Sequence, residues 1–254
     1  MQHSEIIKPK SAICKIYKYN NLDSTNTFLK RECGRFQDYS VVWAEEQTAG
    51  RGRFARKWDS IAGKDLTFSV LLPLVRIQRS NWPNITQIAA LAIAELLEEH
   101  GMSALVKWPN DVLVNRKKIC GILCETVEQN KQFFAILGVG LNVNSAQETL
   151  LKIGLPATSM YNELNHTVPL DKLIVKVMDK TIQFFNELSQ SGFAVFRDKI
   201  KQRLAYLNEE KTVIDGEKKY TGKIIDINSD GTLLFKCNDG TKISLHSGEL
   251  TFNY

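Results

Sequence analysis

The sequence predicts an α+β fold in which a mixed β-sheet is flanked by helices and followed by a small C-terminal β-barrel. Short β-rich runs, VKW, VLV, ICGILCETV and FFAILGVGLNV, succeed one another between Leu105 and Asn144. Apolar residues recur with helical period over Ile85–Leu97 and again over Leu170–Leu188, the pattern of buried and amphipathic helices. From Leu207 onward three Asp-Gly pairs separate strand-like segments, the turn chemistry of a β-meander. The chain's 254 residues suffice for one sizeable domain and a small one, so the expected division is residues 1–207 and 208–254.

The elements follow in order. Weak alternation over Ala12–Tyr19 reads as a strand, and the cluster Asp23-Ser24-Thr25-Asn26 ahead of TFLKREC is a helix N-cap signal. Ser40–Ala44 reads as the next strand, followed by a basic loop. The run DLTFSVLLPL, Asp65–Leu74, is β-rich and Pro73 helps to end it. The helix over Ile85–Leu97 has Gly101 just past its end. Leu113–Ile119 has the polar centre of a hairpin, and Phe193, Phe196, Ile200 and Leu204 continue helical spacing into a second helix after Leu188. The pairs Asp215-Gly216, Asp230-Gly231 and Asp239-Gly240 mark the turns of the small barrel.

Composition narrows the function classes. Hydrophobic residues make up 43% and charged residues 24% of the chain, which excludes disordered and collagen-like classes. A net charge of +5 demands no broad nucleic-acid-binding face, so any anion site is local. The five cysteines, Cys14, Cys33, Cys120, Cys124 and Cys237, form no CxxC pair and have no histidine at metal-ligand spacing, so they read as buried apolar thiols in a reducing compartment. The N-terminal MQHSEIIKPKSAI carries no signal-peptide core, and no run approaches the ~20 apolar residues of a membrane span. A cytoplasmic protein is expected.

The basic loop AGRGRFARKWDS, Ala49–Ser60, is the first candidate site. Gly50 and Gly52 permit positive φ angles and close approach to a ligand, Arg51, Arg53, Arg56 and Lys57 supply charge, and Trp58 offers a flat face. The same composition also suits a solvated surface loop. In VKWPNDVLV, Val106–Val114, Lys107 stands between apolar neighbours on a strand ended by Pro109, placed either to point inward at a phosphate or to lie half exposed before an Asn110-Asp111 turn. Ser24, Thr25 and Asn26 offer polar groups that helix capping also explains. In LGVGLNVN, Gly138 and Gly140 allow close backbone approach and Asn142 offers an amide to a base or ribose.

The segments DSTN, EEQTAGRGR, KW, VKWPNDVLV, KKICGILCE and LGVGLNVN, in that order and spacing, resemble the catalytic core of the biotin protein ligases. The likeness runs from Leu22 to the C-terminus, because the Asp-Gly-rich tail is similar to that family's small Src-homology-3-like barrel. It implies a class II synthetase-like core that joins biotin's carboxylate to the α-phosphate of ATP, forming biotinyl-5′-AMP and pyrophosphate. Biotin then passes to a lysine of a biotin carboxyl carrier protein, such as that of acetyl-CoA carboxylase.

Carried over by position, the resemblance places Ser24, Thr25, Asn26, Gln47, Gly50, Arg51, Gly52, Arg53, Lys107 and Gly121 around biotin. It places Arg51, Arg53, Arg56, Trp58, Lys107, Asn110 and Asn142 around the nucleotide, with Lys107 and Arg53 as the catalytic cations. ATP and biotin are the implied substrates, and Mg²⁺ is expected with ATP, though its protein ligands are not readable. The chain departs from the family where Phe54 replaces a basic or polar residue and Ala55 a glycine, which should stiffen the loop. About twenty residues precede Leu22, so no operator-DNA domain is expected; monomer and homodimer both stay open. The alternatives are a lipoate ligase or octanoyltransferase, whose pocket should be more apolar, and a nucleic-acid-binding module without catalysis.

Overall fold

The computed structural model describes residues 3–7, 14–151 and 156–251. Thirteen strands and six α-helices lie among them. The first part of the chain contributes β1 (His3–Ile7), β2 (Cys14–Leu22), α1 (Thr25–Glu32), β3 (Val41–Gln47), β4 (Leu66–Pro73) and α2 (Asn84–Glu99). Next come β5 (Ala104–Lys107), β6 (Asp111–Val114), β7 (Lys117–Gln129), β8 (Gln132–Leu141), α3 (Gln147–Leu150), α4 (Met160–Leu164), α5 (Leu170–Ser191) and α6 (Arg197–Gln202). The tail supplies β9 (Glu210–Asp215), β10 (Lys218–Ile227), β11 (Leu233–Cys237), β12 (Lys242–Leu245) and β13 (Glu249–Thr251).

The large sheet has the order β1-β2-β3-β4-β8-β7-β6-β5. Its β2–β3 pair is parallel and the rest are antiparallel, so the sheet is mixed as expected. Its two faces are covered unequally. Val41, Trp43, Val70, Leu72 and Leu137 pack with α2 and α5 in one extensive core. Their strand neighbours Val42, Leu71 and Ile136 point the other way, onto Leu29 of α1 and Cys33. Because α1 has only eight residues, it covers one end of that second face.

Local chemistry explains the elements. Ser24 caps α1, its hydroxyl accepting from the Thr27 N–H at 3.4 Å. Asn115 and Arg116 both take positive φ, 49° and 62°, between β6 and β7, the geometry of a two-residue hairpin. Asn130 and Lys131 do the same between β7 and β8, a turn with no glycine to announce it. The expected second helix after Leu188 is shorter than its apolar spacing suggests. Gly192 ends α5 at φ 71°, and Phe193–Phe196 then form a 3₁₀ turn before the six-residue α6. The Ala12–Tyr19 strand begins at Cys14, residues 12 and 13 lying outside those described.

The tail forms a five-stranded antiparallel sheet, β12-β11-β10-β9-β13, in which each of the three Asp-Gly pairs makes a hairpin turn. Among the described residues its ladder runs from β12 to β13 without closing into a barrel. One of these turns ties the two sheets together. Asn84 Nδ2 donates to the Asp230 carbonyl at 2.8 Å, while Gln87 Nε2 and Trp108 Nε1 donate to the Gly231 carbonyl at 3.0 and 3.1 Å. These three donors are contributed by buried residues, where a lost partner costs about 1–3 kcal/mol.

Gly231 adopts φ 85°, and a Cβ there would lie 2.4 Å from Asn84 Nδ2. Gly231→Ala is expected to cost about 1–3 kcal/mol through backbone strain and loss of the dock. The change should appear as a lower urea midpoint at unchanged m-value; an unaltered midpoint would show that the turn does not hold the sheets together.

Candidate active site

Strand register builds the floor of the site. Directly opposite residues share a face of a sheet, and one row crosses five strands: Thr67 pairs with Gly140, Gly140 with Gly121, Gly121 with Asp111, and Asp111 with Lys107. The next row runs through Ser69, Gly138 and Leu123. Ile136 and Glu125 follow under α1. Two glycines of β8 and one of β7 therefore leave bare backbone where α1 stops. Groups from elsewhere fill the space: a Cβ on Gly138 would lie 2.1 Å from Asn26 Oδ1, and one on Gly140 would lie 2.2 Å from Trp58 Cε2.

At the α1 end the polar residues interlock. Thr25 donates through N and Oγ1 to Gln47 Oε1 at 2.8 and 3.1 Å. Ser69 Oγ lies 2.7 Å from Thr25 Oγ1 and 2.6 Å from Asn26 Oδ1. Asn26 Nδ2 donates to the Leu123 carbonyl and to Glu125 Oε2 at 3.3 and 3.1 Å. Ser24, Thr25 and Asn26 are all buried. Capping accounts for Ser24, but the other two side chains look into the cleft.

The basic loop folds as a tight hairpin over this floor. Gly52 N donates to the Arg56 carbonyl at 2.7 Å, Trp58 N donates to the Gly50 carbonyl at 2.9 Å, and Arg51 bridges Lys57. Positive φ falls on Phe54 and Ala55, at 54° and 56°, and not on Gly50 or Gly52. The sequence reading of those two glycines is corrected accordingly. Gly50 is needed for space, because its Cβ would lie 2.3 Å from the Trp58 carbonyl oxygen. Left-handed Phe54 and Ala55 carry strain of about 1–2 kcal/mol each, and the exposed Phe54 ring lies under the Arg53 guanidinium at 4.8 Å.

The cations come from separate segments. Arg53 Nη1 donates to Asn110 Oδ1 at 2.9 Å and to the Gly248 carbonyl at 3.4 Å, linking the loop to the VKWPND segment and to the small sheet. Arg56 pairs with Glu249 beside it. Arg51 lies at the rim and pairs with Glu125 at 3.4 Å. Lys107 is 9% exposed. Burial pulls its ammonium below the usual lysine range, Asp111 pulls it partly back, and Lys118 pushes it down again. Burial raises the Glu125 carboxyl, but the Asn26 amide with Arg51 and Lys30 outweighs that and holds it below the usual range.

All the expected site residues except Gly50 line one cleft, which also takes in Gly138, Gly140, Gly248 and the first two residues of β13, Glu249 and Leu250. Gly50 stands behind it. Gly121 makes room for the Trp58 ring, which a Cβ would meet at 2.9 Å. Trp58 Nε1 and Asn142 Oδ1 are buried with no hydrogen-bond partner, while Asn142 Nδ2 donates to the Thr158 carbonyl at 3.0 Å. One donor and one acceptor on residues lining the cleft thus have no hydrogen-bond partner.

Sequence reasoning missed four contributors. Ser69 is a hydroxyl in the otherwise apolar centre of β4, which was its signal. Lys118 pairs with Asp111 at 2.7 Å and stands 5.5 Å from the Trp58 ring. Glu125 gathers Asn26, Lys30 and Arg51. The fourth is β13, whose approach depends on how the small sheet docks. Among the described residues no three His, Cys, Asp or Glu side chains gather as a metal cage. The carboxylates of Asp59, Asp111 and Glu249 are each paired with a cation.

The profile of the Biotin/lipoate A/B protein ligase family matches residues 19–142, and that of the Biotin protein ligase C terminal domain matches residues 206–252. The chain is 29% identical over 207 residues to the bifunctional ligase/repressor BirA of Bacillus subtilis, covering 80% of this chain and 63% of that protein. It thus spans less than two thirds of that relative's length. It is 37% identical over 147 residues to the biotin–[acetyl-CoA-carboxylase] ligase of Mycobacterium tuberculosis, covering 53% and 54% of the two chains. Biotin protein ligase from Aquifex aeolicus, solved in complex with biotin and ATP, superposes with a TM-score of 0.82 at 30% identity, over 93% of this chain and 97% of that one. With two of the family's profiles matched and the superposition running over nearly the whole of both chains, the chain belongs to the biotin protein ligase family.

Proposed function

We propose that the chain is an ATP-dependent biotin–protein ligase of the cytoplasm, with its catalytic unit over residues 1–207 and an accessory unit over 208–254. A carboxylate oxygen of biotin attacks the α-phosphorus of ATP, the bond to the bridging oxygen breaks, and pyrophosphate leaves. The ε-amine of a carrier lysine, on the biotin carboxyl carrier domain of a carboxylase, then attacks the acyl carbon. AMP departs and the amine gives up its proton. The observation that carries this reading is the convergence of Arg51, Arg53 and Lys107 on one cleft whose lining also includes Thr25, Asn26 and Gln47 at one end and Trp58 and Asn142.

Each residue has a physical task. Two anions meet in the first step, so positive charge must sit between them and stabilise the transition state. Lys107, buried on the floor row, suits the bridging position, and Arg53, held by Asn110, suits the phosphate side. Arg51, paired with Glu125 at the rim, is the cation placed to meet biotin's carboxylate. Thr25, Asn26 and Gln47, braced from behind by the buried Ser69, form a donor and acceptor set for the ureido ring. That polarity favours biotin over the aliphatic tail of lipoate. Asn142 Oδ1 can accept from an adenine amino group and Trp58 can cover its face. The hairpin over the cleft shields the anhydride from water. Magnesium accompanies ATP, neutralising phosphate charge. With the cleft's carboxylates already paired to cations, it would draw its ligands chiefly from phosphate and water.

Biotin and lipoate offered together with ATP should yield pyrophosphate and carrier acylation from biotin; preferential use of lipoate contradicts the assignment. Lys107→Ala should fold normally and lose more than about tenfold in adenylation, equivalent to over ~1.4 kcal/mol, and survival within that margin removes the bridging role. The ammonium of Lys107 is present below its lowered pKa and lost above it. The alkaline limb of kcat/KM for biotin should therefore fall below the ordinary lysine range, and Lys107→Arg, which stays charged, should abolish that limb. Arg53→Gly breaks the ties to Asn110 and Gly248. Biotinyl-AMP should then escape faster, read as indiscriminate labelling of bystander proteins, whereas an unchanged leak would show that the hairpin is no lid.

A further inference from the structure

The small sheet carries a row of like charges that its own stability does not explain. In register, Lys223 of β10 stands directly opposite Lys236 of β11, and Lys236 directly opposite Lys242 of β12. All three are exposed. Like charges directly opposite each other across a ladder are destabilising, yet none of the three makes an ion pair among the described residues. Glu210 stands across from Lys223 without pairing with it. Asp239 is occupied with its own turn, accepting from the Thr241 N–H at 2.8 Å.

Composition does not force this arrangement. Residues 208–254 hold six lysines against eight acidic residues, so the segment is net acidic and its charges are sorted by position. Glu209 faces Arg116, Asp226 faces Arg197 and Lys201, and Glu249 faces Arg56, all in the large domain. Three of the eight acids hold the two sheets together, and the lysine row is left to solvent. Protection of an open edge against aggregation would explain Lys242 on the terminal strand β12. It does not explain Lys236 or Lys223, because β11 and β10 are paired on both sides.

We propose that the row Lys223–Lys236–Lys242 is a docking surface for an acidic face of the carrier domain that accepts biotin, an inference that rests on the ligase reading above. The opposite edge of the same sheet, β13, lines the cleft. Two to four strand spacings of about 4.8 Å, with the four-residue offset from Glu210 to Ile214, put the row about 16–23 Å from that wall, inside the footprint of an ordinary protein interface of ~800 Å² per partner. A partner seated on the lysines is near enough for its own lysine to reach the anhydride. Such rim charges act chiefly through encounter and orientation, so their signature is a salt-dependent KM.

The test compares the full chain with the triple variant Lys223→Glu, Lys236→Glu, Lys242→Glu, using the unbiotinylated biotin carboxyl carrier domain of an acetyl-CoA carboxylase. The expected result is a KM for the carrier raised at least tenfold at about 0.01 M ionic strength, with pyrophosphate formation from biotin and ATP unchanged within about twofold. The wild-type KM should climb steeply with salt and the variant's should not. An unchanged KM, a retained salt dependence, or a parallel loss of pyrophosphate formation overturns the proposal. So does a variant that keeps carrier binding and loses binding to a DNA duplex, which would make the partner a nucleic acid.

Direct titration of the carrier domain onto the two proteins separates the failures. Lysine-dependent binding without pyrophosphate formation by the wild type would refute the ligase reading and leave the docking surface standing. Folding is controlled by Lys236→Gln, which should raise the melting temperature at low salt and lose that advantage at high salt. A lowered melting temperature would show that the lysines serve the sheet and not a partner.

Discussion

The row of strand partners that ends on Lys107 is the constraint on which the rest of the molecule depends. Because opposite residues share a face, the pairing Thr67, Gly140, Gly121, Asp111, Lys107 fixes a lysine at one side of a strip of bare backbone. Slipping β5 by one residue would turn Lys107 into the α2 core, and slipping β7 or β8 would put Ile122 or Val139 into the strip. The rest of the site follows from that strip. α1 is too short to cover it, so its polar N-terminal end overlooks the gap. The arginine hairpin closes the top, anchored where Arg53 reaches Asn110.

That anchoring makes the small sheet part of the site. The Asp230-Gly231 turn docks against Asn84, Gln87 and Trp108, the last of these following Lys107 directly in the chain. Docking brings Gly248 and Glu249 to the hairpin, where one accepts from Arg53 and the other pairs with Arg56. The turn and the arginine hairpin are thus both held by the same small sheet. The same docking draws on Glu209, Asp226 and Glu249 and leaves the row Lys223, Lys236 and Lys242 facing outward.

Much of this was legible in the sequence, for identifiable reasons. Period-2 and helical spacing are local signals, and they located the central strands, α2, α5 and the three Asp-Gly hairpins. The cleft residues were legible because chemistry-bearing types stood in short segments resembling a known family. Long-range register was not legible: nothing in ICGILCETV announces that Gly121 lies opposite Gly140, or that Glu125 gathers Asn26 and Arg51. Asn110 looked like an ordinary turn residue and is the strut between loop and floor. The glycines of the loop suggested positive φ, whereas the hairpin places that strain on Phe54 and Ala55 and uses Gly50 for space. Tertiary closure, which no local pattern encodes, decided both.

The central claim is that cations from separate segments hold an acid against a nucleotide in one shared cleft, so the two ligands must help each other bind. A thermal melt with biotin, with ATP, and with both tests this directly, since a ligand that binds only the folded state raises the melting temperature by mass action. The account predicts that the pair together raises it by clearly more than the sum of the separate shifts. Shifts that merely add, or an absent response to biotin, would contradict it.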